Sequence, residues 1–349
     1  MKKIVRTTLA ASMALSLTAC FDDLKTTTPE PTVPTVPTTL EISGAAVKGT
    51  LISAAVELFN ANDITTAIGT AQTGTDGSYT LTLTDDAGEQ ISGAYVVKIT
   101  ADDDTTMICD AAVTCGDVFR GEMVPAAALT GLSLSSFTFA DSTVEEAPAV
   151  NVNSLSTIAT NAIISAANIE GSPIDLTNLT QANATALQVA GSEIVGAIIG
   201  VDLSGVDLFS LAIVDASVSA DVSTTNPFAA TLTLINASLA NINVLAGETI
   251  GNTLTSYFTA VESITIAILE DPEVDLGATF SEQMTAINLV QANIAIESAA
   301  ILTEVELDTG VSVPVETIPD VIDPDEITDI IGDIVIGTGG TGGTGGTGG

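Results

Sequence analysis

Histidine and tryptophan are absent from this chain of 349 residues, and only seven lysines and arginines face 44 aspartates and glutamates. Without histidine the commonest general base is missing, and with it the usual hydrolase triads and most catalytic zinc sites. No G-x-S-x-G or phosphate-binding glycine loop occurs. A carboxylate pair remains as the one route to glycoside hydrolysis, but no tryptophan is there to stack a sugar. No enzyme is expected, and a hydrolase stays a remote alternative. The shortage of cations excludes nucleic acid and bare anionic membrane as partners, because affinity for either depends on lysine and arginine. Aromatics make up 3% of the chain, so the core is expected to be built from Ala, Val, Ile and Leu.

Against those absences, the start of the chain is richly patterned. Met1 to Arg6 is basic, and an apolar run of small residues from Thr7 to Ala19 follows. That is the layout of a secretory signal, too short to span a bilayer, which needs ~20 apolar residues. Leu17-Thr18-Ala19-Cys20 resembles the bacterial lipobox. The resemblance implies a signal peptide over 1–19, cleavage before Cys20, a diacylglycerol on its thiol, and a further acyl chain such as palmitate on the new amine. Two or more chains anchor stably, at about 0.8 kcal/mol per buried methylene. Phe21 follows the cysteine, with aspartate only at 22 and 23. Aspartate directly after the cysteine marks inner-membrane retention in enterobacterial sorting, so a bacterial outer-membrane lipoprotein is expected. Removal of the signal leaves Lys25, Lys48, Lys98 and Arg120 as the only basic residues, against all 44 acids. Such acidity suits solubility and self-repulsion at a crowded surface.

Residues 20–39 include TTTPEPTVPTVPTT, which favours an extended polyproline stalk of about 40 Å at ~3.1 Å per residue. Over 40–140 the pattern is β. Tyr79, Leu81 and Leu83 alternate with threonines, and the runs LEISGAAVKG, AAVELFN, AIGTAQT, SYTLTLT and AYVVKIT are separated by turn residues. Val47, Gly49, Ala55, Val56, Leu58, Asp76, Gly77, Tyr79 and Leu81 occupy the G-x-V-x-x-G, A-x-V-x-L and T-x-x-D-G-x-Y-x-L positions of the carboxypeptidase regulatory-like, transthyretin-type β-sandwich, which this segment resembles. Ala45 and Lys48 depart mildly from that pattern. The resemblance implies a fold and an accessory role rather than an activity.

From about residue 150 the period becomes helical. Leu155, Ile158, Ala159, Ala162, Ile163 and Ala166 keep i, i+3, i+4 spacing. Further helices are expected from Leu179 to Gly200, from Pro227 to Asn243 after an Asn226 cap, from Thr249 to Leu269, and from Ser281 to Leu307. Long amphipathic segments with short links suggest an α-helical domain over 150–307. The segments VNVNSLSTIATNAI and LTQANATALQVAGSEIVGAIIGVDL are similar to the helical half of uncharacterised bacterial surface lipoproteins, a family with no activity to carry over. The expected class is therefore α+β and multidomain. Residues 308–349 read as an acidic, proline-bearing segment and a flexible Gly/Thr tail.

Cys109 and Cys115 stand with five residues between them, and in an exported protein a small-loop disulfide is expected. Two acidic constellations have the composition of a calcium site. One is Asp102, Asp103 and Asp104 with Asp110. The other is Asp271, Glu273, Asp275 and Glu282, at positions 1, 3, 5 and 12 of an EF-hand-like count, with its glycine one place late. The alternative reading is a solvated acidic loop in each case, so no cofactor is expected unless Ca²⁺ binds. Lys48 and Lys98 lie on or beside strands, where a solvated face is the expected use. With Glu57 they are also the ingredients of an isopeptide bond like those in surface pilin modules, although the closing asparagine is missing. The sequence thus reads as a lipid-anchored exported envelope protein with a surface-interaction or structural role, its partners an envelope or surface protein or a glycan. The alternative is a calcium- or glycan-binding accessory module.

Overall fold

A computed structural model describes residues 36–144, 149–239 and 249–333. The strands are β1 (Thr38–Ala45), β2 (Leu51–Ile52), β3 (Ala55–Asn60), β4 (Asp63–Gln72), β5 (Ser78–Asp85), β6 (Ser92–Thr100), β7 (Thr106–Ile108), β8 (Thr114–Cys115), β9 (Val118–Phe119), β10 (Met123–Val124) and β11 (Ser133–Asp141). The helices are α1 (Ala126–Leu129), α2 (Ser154–Asn168), α3 (Gln181–Ile199), α4 (Ser219–Thr224), α5 (Pro227–Leu239), α6 (Ile250–Glu270), α7 (Leu276–Thr279), α8 (Ser281–Thr309) and α9 (Pro324–Asp333). Every strand pairing is antiparallel, and the class is mixed α+β.

The alternation of apolar and threonine residues builds the first pair. β1 and β5 are hydrogen-bonded with Leu40 opposite Leu83 and Ile42 opposite Leu81; Leu40, Ile42 and Leu81 are buried, Leu83 is half-buried, and the intervening Glu41, Thr80 and Thr82 are exposed. A four-stranded sheet runs β11-β6-β3-β4. β11 shows no alternation because both of its faces are covered: five residues in succession, Ser136 to Ala140, are buried, and α2 packs along it.

The helices end where local chemistry stops them. Asn153 caps α2 in a capping box with Ser156, Thr180 caps α3, and Thr249 caps α6. Gly200 and Gly310 close α3 and α8 in the left-handed conformation. α2 packs on α3, α6 and β11, while α8 packs on α4, α5 and α6.

The core does not divide where the pattern changes from β to helix. Leu40, Val56, Leu81 and Phe137 belong to one apolar cluster with Leu155, Ile194, Leu254 and Ile294, and the described residues form a single compact unit. The chain crosses over at 150–153. Val150 N–H donates to Ser43 O, Val152 N–H to Ala45 O, and Val47 N–H to Val152 O, each at 2.8 Å. Residue 44 must be glycine for that short parallel contact, since a Cβ there would stand 1.8 Å from the Val150 carbonyl oxygen. Gly44→Ala is expected to cost about 1–3 kcal/mol, because backbone rather than a flexible side chain would have to move. Urea unfolding checks it, and an unchanged midpoint would contradict the contact.

Residues 308–333, expected as an acidic, proline-bearing segment, are packed into the fold. Val313, Ile322, Ile327 and Ile331 are buried, and α9 packs against α3 and α6. Asp323-Pro324 opens α9 as Asn226-Pro227 opens α5, and Ile327 and Ile331, four apart, supply a one-sided anchor. The Gly/Thr tail from 337, the stalk to residue 35 and the signal lie outside the described residues.

Candidate functional site: a buried lysine–aspartate centre

Beside the crossover, the turn after β1 places Lys48 wholly inside the protein, not on a solvated face. The buried ammonium position is surrounded by oxygen. Lys48 Nζ donates to the Asn236 carbonyl at 2.7 Å, to the Ala237 carbonyl at 2.8 Å and to Asp110 Oδ2 at 3.2 Å. It is the sole ion pair among the described residues, with side-chain exposures of 0% and 1%. Asp110 Oδ2 also accepts the Gly49 N–H at 2.8 Å, whereas Oδ1 is buried without a partner. Gly49 has φ +53°, and a Cβ there would lie 1.9 Å from the Ile108 carbonyl oxygen, so only glycine lets the backbone approach this closely.

Asn236 organises the same junction from α5. Its Oδ1 accepts the Ser154 N–H at the start of α2, and its Nδ2 donates to the Val47 carbonyl. One side chain therefore holds the strand side, the crossover helix and α5 together. Asp215 lies near enough to influence both members of the ion pair, and its Oδ2 accepts from Thr50 Oγ1 at 2.6 Å. Burial pushes the Lys48 pKa down and the Asp110 pKa up, each opposed by the other's charge. Glu297 is also pushed up, chiefly by burial, with a contribution from Asp110.

One residue before Asp110, the expected disulfide is present. Cys109 and Cys115 are bonded, with Cα atoms 5.6 Å apart and both residues buried. Arg120 braces the loop they close, its guanidinium donating to the carbonyls of Asp110, Ala111 and Ala216.

The chain matches no family model, no curated protein and no solved structure.

Of the carboxylates expected to bind calcium, Asp102, Asp271 and Asp275 accept hydrogen bonds within their own loops. Asp102, Asp103 and Asp104 are exposed, and Asp102 Oδ1 accepts from Asp104 N–H and Thr105 Oγ1. Asp110 is not with them but in the interior. Asp271 Oδ1 accepts the Glu273 N–H, Asp275 caps α7 through the Ala278 N–H, and Glu282 lies in the first turn of α8. Among the described residues no group of three or more acids and cysteines is arranged to hold a metal ion. Glu57 and Lys98 do meet, but as opposite residues of β3 and β6, both half-buried. Lys48 has Asp110 rather than Glu57 as its partner. A separate cavity of about 730 Å³ opens between α3 and α9, with Glu193, Asp202 and Glu326 on an otherwise largely apolar wall. Cys20 lies outside the described residues.

Sequence reading placed Lys48 and Asp110 in different roles and gave Asn236 none. The usable signal was scarcity. Where only four basic residues remain beyond residue 20, a lysine within a strand-and-turn run of apolar and small residues (SGAAVKGTL) is a candidate for burial with an acid.

Proposed function

We propose that the protein is a lipid-anchored, exported component of the bacterial envelope with a non-catalytic structural or surface-interaction role. In this reading a regulatory-like β-sandwich is followed by a helical bundle, both carried outward on the threonine/proline stalk from an acylated Cys20. The observation that carries it is the buried Cys109–Cys115 disulfide, because such bonds persist in compartments outside the reducing cytosol. It agrees with the Leu17–Cys20 motif, which lies far from it in the chain. The ion pair beneath the disulfide supports a structural rather than a catalytic reading, since both of its members are sealed from solvent. α8 offers a contact surface: Leu289, Ile296 and Leu307 are 60%, 69% and 72% exposed, more apolar display than a helix facing only water needs.

Fractionation of cells making the wild-type protein and Cys20→Ser tests the reading. The wild type is expected in the outer-membrane fraction and to incorporate radiolabelled palmitate, while Cys20→Ser incorporates none and leaves the membrane fraction. A variant that stays in the membrane would overturn the anchor. α3 and α8 are long and apolar enough to cross a membrane by length and composition, α3 being largely buried in the fold, and that outcome would direct attention to α8.

A further inference from the structure

We propose that Lys48 and Asp110 join through an amide bond between the lysine Nζ and the aspartate Cγ, formed by the folded protein itself. The geometry is that of a poised condensation rather than of an ordinary surface pair. Both groups are sealed from water, and Nζ is held 3.2 Å from Oδ2. The two shorter contacts of Nζ go to the main-chain carbonyls of Asn236 and Ala237. A neutral amine has two hydrogens, and those carbonyls take both, which turns the nitrogen lone pair toward Asp110. The carboxyl is equally asymmetric. Oδ2 is fixed by the Gly49 N–H, while Oδ1 is buried with no partner. That arrangement separates an oxygen held for developing charge from an oxygen free to leave.

Burial favours the proton assignment the reaction needs. An ammonium and a carboxylate taken out of water become an amine and an acid by a single proton transfer, and desolvation presses both groups that way. The step then balances without any oxidant or activating group. The Nζ lone pair attacks Cγ, and the negative charge gathers on Oδ2 under the Gly49 N–H. Nζ gives up one proton, the Cγ–Oδ1 bond breaks, and Oδ1 departs as water with that proton and the acid's own. One C–N bond is made, one C–O bond is broken and one water is released. Fixed juxtaposition provides the drive, since well-oriented intramolecular partners behave as if at effective concentrations on the order of 10⁵ M or more. The bond would tie the turn after β1 to the residue beside Cys109, joining positions 62 apart in the sequence next to the disulfide.

The test is independent of anchoring. The purified full chain is reduced, alkylated and digested with chymotrypsin, and the peptides bearing Lys48 and Asp110 are sought by mass spectrometry. The expected result is one branched peptide weighing one water less than the sum of the two, with fragmentation placing the link at Nζ of Lys48. Recovery of both as separate linear peptides of full mass would overturn the proposal, whatever any variant does. Lys48→Arg, which keeps the charge but cannot condense, should lose the branched peptide entirely. Asp110→Asn should yield the same branched peptide as the wild type, because ammonia leaves in place of water.

Discussion

Asp110→Ala is expected to lower the unfolding free energy by about 3–5 kcal/mol, the usual cost of removing one partner from a buried ion pair. The lysine left behind is the reason. Lys48 has no exposed surface, so its amine cannot swing out to water, and the main-chain carbonyls of Asn236 and Ala237 are the acceptors that remain. Gly49 N–H loses its acceptor in the same substitution. The matching double variant, Lys48→Met with Asp110→Leu, should recover most of the loss, because an apolar pair of similar volume removes both desolvation penalties together. Urea titrations of the three proteins check this. A single variant within about 0.5 kcal/mol of wild type, the range of ordinary surface substitutions, would show that the pair is not sealed as described. The figure counts only the stranded amine, and the covalent bond proposed above would add to it.

Asn236→Ala should be nearly as costly, by about 2–4 kcal/mol, although it removes no charge. Its side chain satisfies two main-chain groups that lie far from it in sequence, the Ser154 N–H and the Val47 carbonyl. Alanine leaves both buried and unpaired, at roughly 1–3 kcal/mol for each. The effect has a local signature. Amide exchange at Ser154 should quicken more than exchange in the middle of α3, since the lost acceptor belongs to the start of α2. Asn293→Ala is the natural control, because Asn293 is half-buried on α8 and its amide donates to Leu289 O within its own helix. Equal midpoints for the two alanine variants would mean that the junction does not depend on Asn236.

How much of this could be read from the sequence follows the physics of each element. The long helices were legible because capping residues and apolar spacing agree: Thr249 and Asp271-Pro272 bracket α6, and Gly200 closes α3. β1 and β5 were legible because one face meets water and the other does not. β11 left no such trace, being covered on both faces and carrying buried Ser136 and Thr138. α9 was hidden by composition, since prolines and acids dominate its stretch of the sequence while two isoleucines suffice to seat it. The disulfide could be read from spacing and compartment. The ion pair could not, for Lys48 and Asp110 are 62 residues apart and their acceptors on α5 lie a further stretch away. Only the fold brings those oxygens around one nitrogen.

The sequestering of the basic side chains has a practical consequence at the bench. Lys48 is sealed, Arg120 is drawn into its carbonyl cage and Lys98 sits half-buried in a strand, so the folded body offers almost no amine to aldehyde fixatives or to succinimide dyes. No lysine or arginine follows residue 120, which leaves about two-thirds of the chain without one tryptic cleavage site. Methods that depend on trypsin or on amine tagging would under-sample this protein. Carboxyl-directed reagents, or a protease that cuts beside acids, would find it readily.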